Sequence, residues 1–466
     1  MSAYSRIAKS FPNLIEISGK NIDDAGLRAL GLRLNGAFLT SVSFSRIDRD
    51  NDVSLDMAIE TLCKTSPNLI KLSLFDFPRG VSCFTDTAVQ SIVRYCPHIE
   101  ELSLNNWPNI TDLSMTYLTQ LSCLRVIDLS SCKKLTKPAL QQLLQANQKL
   151  EVLILSARSE EHAANILDDA LMRCIGVNCP NLIKLHLRVD TGTNSDVAAA
   201  TFEAMFQTLS ALEDFQISKY DKLNIILPLL SIYCKKLKHI DLCNVACSDD
   251  DFLSICQGCP LIESLSLCSP EATIGITDLA ILSLATYLPM LKLLNLSCLN
   301  NITDNSLCVL FTQCIHLTSV TLRSLLHITD KSILTLLRHC PQLRSLVLRS
   351  NPCLTDYCIQ AIPTYCLYIE CLDLSSVVTL SHETIVQISK YCKYIHSLWI
   401  DSCHQLNNNT ILIILNNCKL ICWLAIYSTN IRINDTFITQ CNQSFVAKRC
   451  YKSIRLQYAE GNVCGY

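Results

Sequence analysis

The chain has 466 residues, 49% of them hydrophobic and 17% charged, so it carries ample apolar surface for a continuous core and is excluded from the disordered class. Lys plus Arg total 39 against 41 Asp plus Glu, which leaves no global field to draw the chain onto nucleic acid or anionic lipid, and neither is expected as a partner. Met1 to Lys20 lacks a basic region followed by an apolar run, and no run of about 18 apolar residues occurs, so neither a secretory signal nor a membrane span is expected.

Taken in order, the chain repeats a short L-x-x-L-x-L-like stretch whose alternation suits a strand buried on one face. Leu69-Leu72-Leu74, Ile99-Leu102-Leu104, Leu182-Leu185-Leu187 and Leu343-Leu346-Leu348 are examples. The first anchors fall at 14, 39, 69, 99, 124, 150, 182, 212, 237, 262, 291, 317, 343, 369, 395, 421 and 451, which predicts about seventeen units. Between strands the period becomes helical, as in Leu307, Leu310, Phe311 and Cys314. Thr-Asp pairs at Thr85, Thr111, Thr277, Thr303, Thr329 and Thr355 stand where a helix cap is needed and read as helix starts, not catalytic carboxylates. Pro228 and Pro363 fall inside helical segments and are expected to shorten or kink them.

The period is uneven. Residues 13–290 carry longer excursions, 291–420 hold a regular step of 26 residues, and 421–466 read as terminal repeats. A fixed period of this size signals a solenoid, in which each unit buries its apolar face only against its neighbours. The expected fold is therefore α/β, a single horseshoe-shaped repeat domain over 1–466 with parallel strands on the concave face and helices on the convex face.

Twenty-eight cysteines include a ladder at Cys314, Cys340, Cys366, Cys392 and Cys418, again in steps of 26. Packed helices lie roughly 9 to 10 Å apart, whereas a disulfide needs alpha carbons within about 7 Å, so the ladder is expected to stay reduced as core packing. That suits an intracellular compartment, cytoplasmic or nuclear. Cys243, Cys247, Cys256 and Cys259 have spacings that superficially resemble a zinc site, but Cys259 belongs to the ladder and Cys256 lies a helical turn before it, so packing is the stronger reading.

The unit from Cys340, C-P-Q-L-R-S-L-V-L-R-S-N-P-C-L-T-D, resembles the cysteine-containing leucine-rich repeat, C-x-x-L-x-x-L-x-L followed by a small loop and I-T-D. This subtype is best known from F-box/leucine-rich-repeat proteins and antagonist-of-mitotic-exit proteins. The resemblance implies a substrate-binding arm for an SCF-type ubiquitin ligase, with the SCF adaptor and cullin as partners only if an F-box is supplied elsewhere. The repeats begin near Leu14, leaving no F-box-like stretch ahead of them, so an F-box-free scaffold or inhibitor is the competing expectation.

Ten scattered histidines, no G-x-S-x-G and no glycine-rich phosphate loop argue against an enzyme, a catalytic residue or a cofactor. Function is expected on the outward strand positions. One column reads Arg188, Arg323, Arg349, Asp401 and Tyr427, and another His186, Asp241, Asp373, Trp399 and Arg455, with Trp423 before the second anchor of its strand. Arg323, Arg349, Trp399, Asp401, Trp423 and Tyr427 are the expected protein-binding patch, since Trp, Tyr and Arg dominate binding hot spots. The competing arrangement pairs Arg349 with Asp373. Phe75, Phe77 and Trp107 form a second expected patch near the amino-terminal rim.

Overall fold

The computed structural model describes residues 14–19, 22–33, 38–44, 47–48, 55–75, 84–157, 168–189, 197–218, 223–242, 247–268, 275–426 and 455–457. Contacts divide the chain into two compact units, Met1–Leu237 and Lys238–Tyr466. In the first, eight described strands pair in parallel in chain order: Glu16–Gly19, Ser41–Phe44, Lys71–Leu74, Glu101–Ser103, Val126–Asp128, Val152–Ala157, Lys184–Val189 and Asp214–Ser218. In the second, nine described strands from His239–Asp241 to Arg455–Gln457 do the same. Helices connect the strands and cover one face, so the fold is an α/β leucine-rich repeat solenoid.

Each strand opens just past its anchor leucine, as Leu343 precedes Ser345–Val347. The pleat then alternates. Val320, Leu346, Leu372 and Leu398 are buried under the helices, while the residues beside them face away.

The Thr-Asp pairs open helices, as expected. Thr303, for example, caps Asp304–Gln313 by accepting a hydrogen bond from the Asn305 amide at 3.2 Å. The aspartate reaches across to the next unit. Asp278 accepts the Thr303 amide at 2.8 Å and the Thr303 hydroxyl at 2.6 Å. The same pair of bonds joins Asp56 to Thr85, Asp86 to Thr111, Asp112 to Thr136, Asp249 to Thr277, Asp304 to Thr329, Asp330 to Thr355 and Asp356 to Ser381. Thr85, Thr111, Thr277, Thr303, Thr329 and Thr355 therefore each accept from their own helix and donate to the neighbouring unit, while Thr136 only donates.

The cysteine ladder is buried and its thiols are free. Cys340 donates its S–H to the Cys314 carbonyl at 3.5 Å, Cys366 to Cys340 at 3.6 Å and Cys392 to Cys366 at 3.9 Å. Burial pushes the Cys314, Cys340, Cys366 and Cys392 thiols up to about 12. These sulfurs pack and donate; they do not ionise at neutral pH.

After seven of the strands the chain turns through a left-handed residue: Asn106, Ser131, Cys298, Ser324, Ser350, Ser376 and Ser402 have φ between 55° and 64°. Their amides hold the turn to the following unit, Ser324 N–H donating to the Arg349 carbonyl at 3.0 Å and Ser350 N–H to Ser375 at 3.0 Å. The next residue often reaches back to the strand of the preceding unit. Cys132 donates to the Leu104 carbonyl at 3.1 Å, Asn351 to Leu322 at 2.6 Å and Cys403 to Leu374 at 3.4 Å.

Pro363 interrupts its segment as expected, leaving two short helices, Asp356–Ile359 and Ile362–Tyr365. Pro228 instead lies inside one assigned helix, Leu223–Tyr233, which is not shortened. In the first unit Gly176 permits a close helix approach, because a Cβ there would lie 2.9 Å from the Met205 Cα.

Candidate functional site

The sheet face turned away from the helices is an extended surface that the packing, capping and turning residues leave free to vary. In the second unit, register aligns Thr321, Val347, Asp373, Trp399 and Ala425 in one column. Arg323, Arg349 and Asp401 lie two residues further along their units and, by the same alternation, on the same face. Arg455 is corrected: Leu456 pairs with Leu424, which sets Arg455 opposite Trp423 and outside the Trp399 column.

Arg323 is exposed and Arg349 half-exposed. Adjacent strands put these two positions about 5 Å apart along the sheet. Among the described residues neither guanidinium forms an ion pair or a side-chain hydrogen bond. The alternative pairing of Arg349 with Asp373 does not form, because the Asp373 carboxylate bends back to accept the Ser375 amide at 2.9 Å. Both arginine backbones are fixed, since their carbonyls accept the Cys298 amide at 2.8 Å and the Ser324 amide at 3.0 Å. The Arg323 charge is felt by Cys298: burial and the Cys268 thiol push that thiol up, and Arg323 partly offsets them.

Trp399 is half-buried and ends the strand Ser397–Trp399; Trp423 is half-buried and opens Trp423–Ala425. The Asp401 carbonyl accepts the Ser376 amide at 2.8 Å. Tyr427 lies outside the described residues. Arg323, Arg349, Trp399, Asp401 and Trp423 therefore share one face, over five successive strands.

The amino-terminal patch is corrected. Trp107 is fully buried, its ring stacked on Phe84 with centroids 3.9 Å apart and its Nε1–H donating to the Leu74 carbonyl at 2.9 Å. An indole offers enough apolar area to fill the turn and one donor for the carbonyl behind it, the role Cys132 and Asn351 fill elsewhere. Phe75 is half-buried beside a depression of about 670 Å³ floored by Ser18, Ser43, Ser73 and Ser103, and Phe77 lies outside the described residues.

One charged cluster escaped the sequence reading. Asp214 accepts from Lys184 at 2.7 Å and bonds the His186 ring at 2.8 Å across adjacent strands. Burial alone would raise the Asp214 carboxyl, but His186 and Lys184 outweigh it and hold it at about 2. A carboxylate so acidic is a poor proton acceptor; it forms an ion pair with Lys184 that also bonds the His186 ring. The three residues are separated in sequence by one unit, a signal that becomes visible once the units are aligned.

Of the cysteines with zinc-like spacing, Cys243 lies outside the described residues, while Cys247, Cys256 and Cys259 are buried. Burial pushes Cys247 and Cys256 up to about 12. Among the described residues no group of three or more His, Cys, Asp or Glu side chains converges on a metal-sized site, and no helix is long and apolar enough to cross a membrane.

No family model matches the chain. Among solved structures it is similar to a chain of the crystal structure of the Rad7 and Elc1 complex in yeast, with 15% identity and a TM-score of 0.54, covering 86% of this chain and 92% of that one. It also matches a chain of the TLR13–ssRNA13 complex at 15% identity and a TM-score of 0.48, covering 89% of this chain but 55% of that one. These likenesses concern the fold.

Proposed function

We propose that the chain is a non-enzymatic protein-recognition arm whose second unit binds a protein segment on its open face, with Arg323, Arg349, Trp399, Asp401, Trp423 and Tyr427 as the contact residues. The carrying observation is the pair of arginines on adjacent strands with no carboxylate partner among the described residues. Two like charges so close repel, and an anionic group placed between them relieves that cost. Half-buried tryptophans on the same face supply the apolar area that a recognised segment needs. The Rad7 structure, solved with Elc1, offers a precedent of similar fold in a protein complex.

The specific employment we infer is substrate selection for SCF-type ubiquitin ligation, inside the cell, where the ladder thiols remain reduced. The resemblance to the cysteine-containing repeat supports it. Affinity purification of the full chain followed by mass spectrometry tests both levels. Recovery of the SCF adaptor and cullin supports the ligase role; a stable protein partner without them supports the F-box-free scaffold. In the same experiment Arg323→Ala with Arg349→Ala should lower recovery of the partner at least tenfold, about the effect of losing a hot spot, while leaving the melting curve unchanged. Undiminished recovery removes the open face from the reading.

A further inference from the structure

A second surface lies in the same unit but away from the open face, along the rim where helices end and strands begin. The sequence repeats Y-C-x-Y on adjacent units, Tyr365-Cys366-Leu367-Tyr368 and Tyr391-Cys392-Lys393-Tyr394. Each cysteine is the buried ladder residue, so the flanking side chains are turned outward. Tyr365 is 38% exposed, Leu367 45%, Tyr368 47%, Tyr391 49%, Tyr394 48% and Leu420, on the next unit, 44%. The Tyr368 and Tyr394 rings meet with centroids 5.8 Å apart, which makes the strip continuous between units. Singly exposed apolar residues are ordinary on a protein surface; a strip joined across two units, with an exposed leucine at the equivalent position of the third, marks a contact site.

Four cations stand beside this strip. Arg338 lies over the Tyr365 ring at 6.0 Å and Lys390 over the Tyr391 ring at 5.3 Å. Lys393 reaches only the neutral Ser389 carbonyl at 3.5 Å, and Lys419 stands exposed beside Leu420. Among the described residues none of these four cations has a carboxylate partner, and the acid beside them, Glu370, is taken by Arg344. Leu367 and Leu420 add aliphatic area suited to apolar side chains.

We infer that this tyrosine-rich rim is a docking surface for an acidic protein segment, one in which carboxylates alternate with apolar side chains. The segment's apolar side chains lie over Tyr368, Tyr394 and Leu420, and its carboxylates meet Lys390, Lys393 and Lys419. It is independent of the open face and would allow two segments, or two partners, to be held at once.

The test is a selection of random peptides displayed on phage against the full chain, run with three proteins. These are the wild type, an open-face variant (Arg323→Ala with Arg349→Ala), and a rim variant (Tyr368→Ser, Tyr394→Ser and Lys393→Glu). Peptides enriched by the wild type and the open-face variant, but at least tenfold less by the rim variant, should carry an excess of Asp and Glu interleaved with apolar residues. Tyr368→Phe with Tyr394→Phe should retain them, and circular dichroism melting should show all variants folded. Enrichment that the rim variant preserves, or peptides lost with the rim that lack acidic excess, would overturn the inference. So would labelled oligothymidylate that binds the wild type and is lost on the rim variant while no acidic peptide is selected, since that result assigns the strip to nucleic acid.

Discussion

From Asp249 to Ser381 every unit of the second half is tied to the next by the same two hydrogen bonds, whereas between Lys137 and Ala198 in the first half no two junctions are alike. Where the aspartate is replaced by Lys137, the threonine is replaced by Asp168, and a 2.7 Å ion pair takes the place of the hydroxyl bond. One unit later Asp169 accepts the Ala198 amide at 2.9 Å but no hydroxyl from the capping position, because alanine has none to offer; a hydrogen bond from the Thr201 side chain and Arg173 at 3.5 Å complete its contacts. The buried turn varies in the same way. Leu299 and Leu325 fill it by size alone, while Trp107 and Cys132 also donate to a carbonyl behind them. What recurs is the need to satisfy particular backbone groups at each junction, and several side chains can meet it.

The comparison can be broken most forcefully at the turn. Trp107→Ala should destabilise the first unit by about 4 kcal/mol in urea unfolding, because it empties a filled site and orphans the Leu74 carbonyl. A surface tryptophan would lose almost nothing. Asn351→Leu in the second unit should cost about 2 to 3 kcal/mol, since the Leu325 amide, held at 2.7 Å by the Asn351 carbonyl oxygen, and the Leu322 carbonyl both lose buried partners.

At the junction itself, Asp278→Ala should cost about 1.5 kcal/mol after allowance for its partial exposure, and Asp169→Ala distinctly less, measured by the same unfolding midpoint. Equal losses would show that the threonine hydroxyl contributes nothing across units. Acid sharpens the same point. Burial would raise the Asp278 carboxyl, but bonds from Ser306 and Thr303 hold it below the ordinary 3.8, and Asp86 and Asp356 are lowered likewise by their neighbours' donors. A depressed carboxylate stabilises above its unfolded value and loses that contribution as pH falls through its folded one. Unfolding midpoints should therefore drop below about pH 4, and Asp278→Asn should flatten that drop. The smallest effect belongs to Arg323→Ala with Arg349→Ala, within about 0.5 kcal/mol of wild type, because these side chains hold nothing in the fold.

Much of the fold was legible because a unit shows the same residue wherever the same backbone need arises: anchors at strands, cysteines at helix ends, Thr-Asp at helix starts. The cross-unit role of the aspartates was hidden, since Asp278 and Thr303 are distant in the chain and meet only when units are stacked in register. The left-handed column at Ser324, Ser350, Ser376 and Ser402 was also hidden, because glycine, the usual mark of positive φ, is absent there. Trp107 was misplaced because the long excursion before it obscured its equivalence to Leu299 and Leu325. The outward arginines were visible as breaks in the repeat. The tyrosine rim is carried by Y-C-x-Y, but its outward exposure depends on the cysteine between the tyrosines being turned into the core, which only the stacked units show.

The ladder of thiols held near 12 has a practical consequence. Alkylating reagents attack the thiolate, so Cys314, Cys340, Cys366 and Cys392 should be silent in the native fold and become labelled only when their own junction opens. Pulsed alkylation followed by peptide mapping would then time the opening of each repeat in the unmodified sequence. The solenoid is, in effect, written with its own clock marks, one per turn.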